Sequence, residues 1–238
     1  MDLSIVIPAF NESGKIADDI RGAAEFLQNN NLSGEIIVVD DGSKDGTAEA
    51  AKNSESGVSV QVISYLPNRG KGYAIRKGMA GTTGRYVMFA DSGSCIPYEE
   101  ALRGLELIKD GKCDIAHGSR KTAGCHILKS QSLYRRICSK LFHWFVIYDM
   151  KIPAEFSDTQ CGFKIYRGDI ARELYAQCIT DGFMFDIEII MRAQRRGCRI
   201  SEFPVDWTCD RDSRLSPTRS AWRVFSELMT IRRLMSPK

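Results

Sequence analysis

The sequence predicts an α/β fold, with a mostly parallel sheet covered by helices on both faces. Three observations carry that reading. Apolar runs such as Tyr86-Val87-Met88-Phe89-Ala90 are continuous rather than alternating, as in strands buried on both faces. Strand-like and helix-like segments alternate about four and a half times in the first half of the chain. The connections between them are short, as parallel units require.

Leu3 to Pro8 reads as the first strand, stopped by proline. Asn11-Glu12-Ser13 follows, with Ser13 as the expected N-cap of a helix spaced on Ile16, Ile20, Ala23 and Leu27. Glu35 to Asp40 is a second buried strand ending in acid, and Asp41 to Thr47 a turn from which Thr47 to Lys52 begins a helix. Val58 to Tyr65 is a third strand. Asn68-Arg69-Gly70-Lys71-Gly72 is a glycine-rich turn before a helix from Tyr73 to Ala80. Tyr86 to Ala90 is a strand running into Asp91. A helix from Pro97 to Ile108 and a strand from Cys113 to His117 complete the regular part. Then the rhythm breaks. Lys121 to Leu128 reads as a loop, and Ser130 to Tyr148 as an aromatic-rich amphipathic helix. Phe156 to Gly162 is irregular, and Phe163 to Tyr166 is a short strand. Helices near Gly168–Gln177 and Phe185–Arg196, a strand from Arg199 to Val205 and a last helix from Ser220 to Met235 follow.

The 238 residues are 43% hydrophobic and 26% charged, which is ordinary for a globular chain. The net charge of +3 is unevenly placed: Ile115 to Tyr148 holds six Lys or Arg and no acid. Eight cysteines stand singly without a Cys-x-x-Cys pair, and no signal peptide precedes the first strand, so a reducing, cytoplasmic setting is expected. The three histidines lack ligand spacing with the cysteines, which argues against zinc. No run reaches the roughly 20 apolar residues of a membrane span. Leu133 to Met150 comes nearest, but it carries Arg135, Arg136, Lys140 and Asp149. That stretch suits a membrane surface or the core.

Asp40, Asp41, Lys71 and Asp91 all fall at or just beyond the carboxyl ends of strands expected to be parallel. Those ends share one sheet edge, so the four groups converge on one ligand. The bland alternative is that each acid caps the helix after it. Neither a Walker sequence nor a Gly-x-Gly-x-x-Gly follows the first strand, which argues against a classical NAD enzyme. Gly70-Lys71-Gly72 is a weak phosphate-cradling signal.

Four motifs carry a likeness: Ile7-Pro8-Ala9-Phe10-Asn11-Glu12, Val39-Asp40-Asp41-Gly42-Ser43-x-Asp45-Gly46-Thr47, Asn68-x-Gly70-Lys71-Gly72 and Gly84-x6-Asp91. Their succession resembles family 2 glycosyltransferases, inverting enzymes of GT-A fold that use nucleotide sugars. Gly118-Ser119-Arg120, Asp158-Thr159-Gln160-Cys161-Gly162-Phe163-Lys164, Phe185-Asp186-Ile187-Glu188 and Val205-Asp206-Trp207-Thr208 are similar to its dolichyl-phosphate β-glucosyltransferase branch. The resemblance implies a single domain over residues 1–238. Residues 1–120 would bind the nucleotide sugar on a mostly parallel Rossmann-like sheet. Residues 121–238 would form a C-terminal acceptor-side extension.

It implies that Pro8, Ala9, Glu12 and Asp40 hold the uridine, with Asp41 and Lys71 near ribose and diphosphate. Asp91 would be the first acid of a metal-binding Asp-x-Asp, but the second acid falls on Gly93. Three accounts stand open. A Mg²⁺ or Mn²⁺ is held by Asp91, diphosphate and water; another residue replaces the second acid; or basic residues neutralise the diphosphate without metal. Arg120, Arg135 and Ser139 match acceptor-phosphate positions, and Asp158 a catalytic-site position. A phosphate nucleophile needs no general base, whereas a hydroxyl acceptor would need one, with Asp158 or Asp186 as candidates.

The expectation is therefore hexose transfer, glucose from UDP-glucose, to a polyprenyl or dolichyl phosphate at the cytosolic membrane face. The rivals are a soluble or peripheral transferase acting on a hydroxyl of a sugar, small molecule or protein, and a nucleotide-sugar-binding protein without catalysis. A nucleic-acid partner is not expected, because the basic residues accompany no nucleic-acid module.

Overall fold

The computed structural model describes residues 1–122, 145–153, 155–208 and 217–235. Strand β1 (Leu3–Ala9) is wholly buried and lies between β2 (Gly34–Asp40) and β4 (Tyr86–Ala90), parallel to both. β3 (Ser59–Ser64) extends the sheet beyond β2, also parallel. On the other side stand β6 (Phe163–Arg167), β5 (Ile115–Ser119) and β7 (Ile200–Pro204), giving the order β3-β2-β1-β4-β6-β5-β7. Among the described strands, only β6 is reversed. It pairs antiparallel with both β4 and β5, while β5 and β7 pair parallel.

Helices cover both faces because successive strand residues point opposite ways. Leu3, Ile5, Ile7, Ile36, Val38 and Met88 face α1 (Ile16–Asn29) and α4 (Ala101–Lys109). Val6, Ile37, Val39, Val87 and Phe89 face α3 (Lys71–Ala80), α5 (Gly168–Gln177) and α6 (Phe185–Arg195). The short α2 (Thr47–Lys52) lies beside β3. A third cluster joins Val146, Met150 and Phe156 to Ile187 and Ile190 of α6, and to Leu228 and Ile231 of α7 (Pro217–Leu234). Burying side chains of this size contributes roughly 1.5–3 kcal/mol each.

Two local expectations need correcting. Ser13 does not cap α1, which begins at Ile16 with no side-chain cap. The amides of Lys15 and Ile16 turn back onto the Glu12 carbonyl, and Ser13 N–H donates to Asp45 instead. The helix from Pro97 starts as a 3₁₀ turn at Tyr98–Glu100 before α4. The helix expected over 130–148 lies outside the described residues up to 144, and residues 145–148 are helical.

Candidate active site

The order of strands reverses between β1 and β4, which opens a crevice at their carboxyl ends. A cleft of about 480 Å³ sits there. Because β6 runs backwards, its beginning lies at the same edge as the ends of its neighbours. Gly162 and Phe163 therefore come up beside Ala90 and Asp91. Pro8, Ala9, Glu12, Asp41, Lys71, Asp91 and Arg120 all line the cleft.

Asp40 and Asp158 do not line it. Asp40 is 2% exposed, and its two oxygens accept from Ser43 N–H (3.1 Å) and the Ser64 hydroxyl (2.8 Å). Asp41 reaches the cleft but accepts from Asn68 Nδ2 and the amides of Arg69 and Gly70, all at 2.8 Å. The remainder of that motif staples one loop to another. Asn11 N–H donates to Ser43 (2.7 Å), Glu12 N–H to Thr47 (2.8 Å) and Lys44 N–H to Asn11 (2.9 Å). The motif thus shapes the Pro8–Glu12 wall.

At the expected phosphate cradle, Gly70-Lys71-Gly72, two of the three backbone amides are engaged within the protein. Gly70 N–H goes to Asp41, Gly72 N–H to the Gly182 carbonyl (3.2 Å) and Tyr73 N–H to the Asp181 carbonyl (3.1 Å). The glycines serve that close approach. A Cβ on Gly70, at φ +115°, would strike the Asp181 carbonyl, and one on Gly72 would strike the Thr180 and Gly182 carbonyls. What the turn gives the cleft is the Lys71 side chain. Its Nζ lies 2.6 and 2.8 Å from the two oxygens of Asp91. Burial alone would lower the Lys71 pKa, but Asp91 and Asp186 raise it, so the ammonium stays charged.

Arg120 and Asp158 form a forked pair, Nε–Oδ2 at 2.6 Å and Nη2–Oδ1 at 2.9 Å. Burial would raise the Asp158 pKa, but the bonds and charge of Arg120 outweigh it and hold the acid at about 2. Glu202 fixes Asp158 from behind by accepting its amide N–H (2.9 Å). Arg120 also lies 5.3 Å over the Trp207 ring. Asp158 is therefore a support for Arg120. Arg135 and Ser139 lie outside the described residues.

Asp186 lines the cleft floor, yet it is bound to Lys164 (2.7 Å), whose Nζ also donates to the carbonyls of Thr159 and Cys161. Lys164 is 1% exposed, so this side chain braces the Asp158–Gly162 loop from within. Spacing singled out the motif, but only the fold shows that its lysine is buried against Asp186 and two loop carbonyls. Arg223 was not anticipated either. It reaches the cleft from α7, a helix with no sequence spacing to tie it to the site.

The residues present fit a divalent cation in a limited way. Among the described residues, Asp91 Oδ1 is buried with no hydrogen bond of good geometry, and its charge is met by Lys71 Nζ at 2.6 Å. Cys161 lines the cleft too, but burial pushes its thiol up to about 12. Among the described residues, no three His, Cys, Asp or Glu side chains are grouped to hold a metal. One carboxylate with diphosphate oxygens and water suffices for Mg²⁺. The set suits a cation shared with a diphosphate rather than a preformed cage.

Comparison with known proteins agrees with this geometry. The chain is 32% identical to a dolichyl-phosphate beta-glucosyltransferase of Drosophila melanogaster, over 97% of this chain and 74% of that protein. It is 30% identical to the Homo sapiens protein of the same name, with the same coverage. Among solved structures, a Mycobacterium tuberculosis glucosyl-3-phosphoglycerate synthase with Mn²⁺, UDP and glucosyl-3-phosphoglycerate superposes at a TM-score of 0.72. It shares 20% identity over all of this chain and 81% of that one. A mannosyl-3-phosphoglycerate synthase from Rubrobacter xylanophilus gives 0.76 at 18% identity, over 98% of this chain and 74% of that one. These structures show the fold, which is GT-A. The model of "Glycosyl transferase family 2" matches residues 4–175, and with this match the chain belongs to that family, as a nucleotide-sugar-dependent glycosyltransferase.

Proposed function

We propose that this chain transfers glucose, with inversion, from UDP-glucose to a polyprenyl phosphate of the dolichyl type. One observation carries the choice of acceptor. The two carboxylates that could deprotonate a hydroxyl are both committed: Asp158 to Arg120, and Asp186 to Lys164. The cleft also carries Glu12 and Asp41, the latter held by Asn68, Arg69 and Gly70, and the cations Lys71, Arg120 and Arg223, which suit an anionic acceptor. A phosphate monoester is already anionic and needs orientation rather than deprotonation. The names of the curated relatives support the same reading.

In this mechanism Pro8, Ala9 and Glu12 wall the uridine, and Asp40 and Asp41 keep that wall and the Lys71 turn in shape. Arg120, with Arg135 and Ser139, binds the acceptor phosphate and aims one oxygen at the anomeric carbon. That oxygen forms its bond on the face opposite the diphosphate, through an oxocarbenium-like state. The bond from the anomeric carbon to the diphosphate breaks, and its electron pair leaves with UDP. Lys71 meets the departing charge. A Mg²⁺ or Mn²⁺ on Asp91, when bound, would neutralise part of the diphosphate charge.

Among the described residues, no helix is long and apolar enough to cross a membrane. Peripheral contact with the cytosolic leaflet is part of the proposal. It is supported by Trp222 (80% exposed) and Phe225 (48% exposed), whose rings lie tilted with centroids 6.2 Å apart on a basic helix beside the cleft.

The test is transfer of radiolabelled glucose from UDP-glucose with polyprenyl phosphate present. Label should move to the organic phase, depend on added Mg²⁺ or Mn²⁺, and fall at least about 100-fold in Asp91→Ala, the scale set by losing one electrostatic group. Label that stays aqueous with a hydroxyl acceptor would sink the lipid reading. Unchanged turnover in excess EDTA would sink the metal.

A further inference from the structure

We propose that Arg223 of the C-terminal helix is a further catalytic residue, donating hydrogen bonds to the diphosphate as it departs. This rests on the reading above that the donor is a nucleoside diphosphate sugar.

Three features place it there. The first is position. Arg223 lines the cleft, and its Nη2 lies 3.1 Å from where a side chain on Gly70 would begin, directly before Lys71. The second is how it is held. Leu228 and Ile231 bury the helix against Ile187 and Ile190. One turn beyond Arg223, Glu227 accepts the Met184 amide (3.2 Å) and fills the space a side chain at Gly182 would need. The same Glu227 accepts from Arg223 Nε at 3.2 Å. That bond fixes the plane of the guanidinium while, among the described residues, neither Nη makes a hydrogen bond.

The third is need. Among the described residues, the amides of Gly70, Gly72 and Tyr73 are spent on Asp41, Gly182 and Asp181, which leaves only the Lys71 amide of this turn for a phosphate. Lys71 is shared with Asp91, and Arg120 with Asp158. Gly93 stands where a second metal-binding acid would be, which thins the cation's share as well. A side-chain fork whose two outer groups remain for an anion answers that shortage. In the step itself, the bond from the anomeric carbon to the diphosphate oxygen breaks, and the electron pair stays on the oxygen. Arg223 donates N–H groups to that charge and transfers no proton.

The experiment is calorimetric UDP binding, with and without EDTA, together with steady-state transfer, on the full chain. Arg223→Met should weaken UDP binding about 10-fold and lower kcat about 100-fold, the range for losing one such donor. The binding loss should be larger in EDTA. Arg223→Lys should recover part of it, and Arg233→Met on the same helix should behave as wild type. Wild-type UDP affinity and kcat in Arg223→Met would overturn the proposal alone. So would a rise confined to the KM for polyprenyl phosphate, which would move Arg223 to the acceptor. Absence of UDP binding by the wild-type chain would overturn the donor reading and this proposal together.

Discussion

Gly162 has no side chain because the Asp91 carboxylate stands where a methyl group would go. The Gly162 carbonyl also accepts the Asp91 amide at 2.9 Å. Gly162→Ala must therefore move the carboxylate or the loop. Misplacement of about 1 Å at a reacting centre costs on the order of 100-fold in rate. The expected outcome is that loss in kcat, with Lys71 and Asp91 parted, while the thermal midpoint shifts by only a few degrees. Kinetics beside a melting curve checks it, and wild-type turnover would show that Asp91 has room to spare. At this scale the sequence was informative about which residues matter and poor about which way they face. Asp40 and Asp158 carry acid at motif positions, yet both oxygens of each are used inside the protein. Spacing cannot distinguish a carboxylate aimed at a ligand from one aimed at a neighbour's amide.

The loop after β4 shows what an element adds to its residues. Asp19 on α1 is fully buried and accepts from Gly93 N–H (2.8 Å), Ser94 N–H (2.8 Å) and the Ser94 hydroxyl (2.7 Å). Gly93 is held at φ +96°. Putting an acid back there, as Gly93→Asp, places a side chain on a backbone that disfavours it, at a cost of about 1–3 kcal/mol. We expect that variant to melt lower and to bind Mn²⁺ in the presence of UDP no more tightly than wild type. Tenfold tighter Mn²⁺ binding would show that the loop readily accepts a second acid. The parallel strands were legible from their unbroken apolar runs. The reversal of β6 was not, since a five-residue buried strand reads the same in either direction. Its direction is set by its partners, β4 and β5.

The whole molecule has a pH limit that begins in its core. His117 on β5 is completely buried, and neither ring nitrogen has a hydrogen-bond partner among the described residues. Burial first, then the charge of Lys164, pushes its pKa well below the ordinary value of 6.5, with Asp158 opposing. The folded chain then binds fewer protons than the unfolded one at pH below 6.5. Stability is complete above that pH and falls as pH drops through it, by up to about 1.4 kcal/mol per unit from this group. Urea unfolding at pH 7.5 and 5.5 should show that loss in wild type and a shallower one in His117→Met. Equal slopes would assign the acid sensitivity elsewhere. Most of the fold could be drawn from alternation and apolar runs. The third core cluster could not, because residues 146–156, α6 and α7 share no period and meet only in space.

The reversed strand also bears on how the protein is made. Synthesis delivers Lys71 and Asp91 early, but the wall beside Asp91 begins at Phe163, which pairs with Ala90 across a long interval of chain. Closing so distant a contact is slow compared with forming local helices. A chain still growing on the ribosome can thus own its central parallel strands and both charged groups without a finished cleft. Nucleotide capture would then wait for β6, and reach full strength only when Arg223 follows it, and a stall before β6 leaves the edge of β4 open to a neighbouring chain.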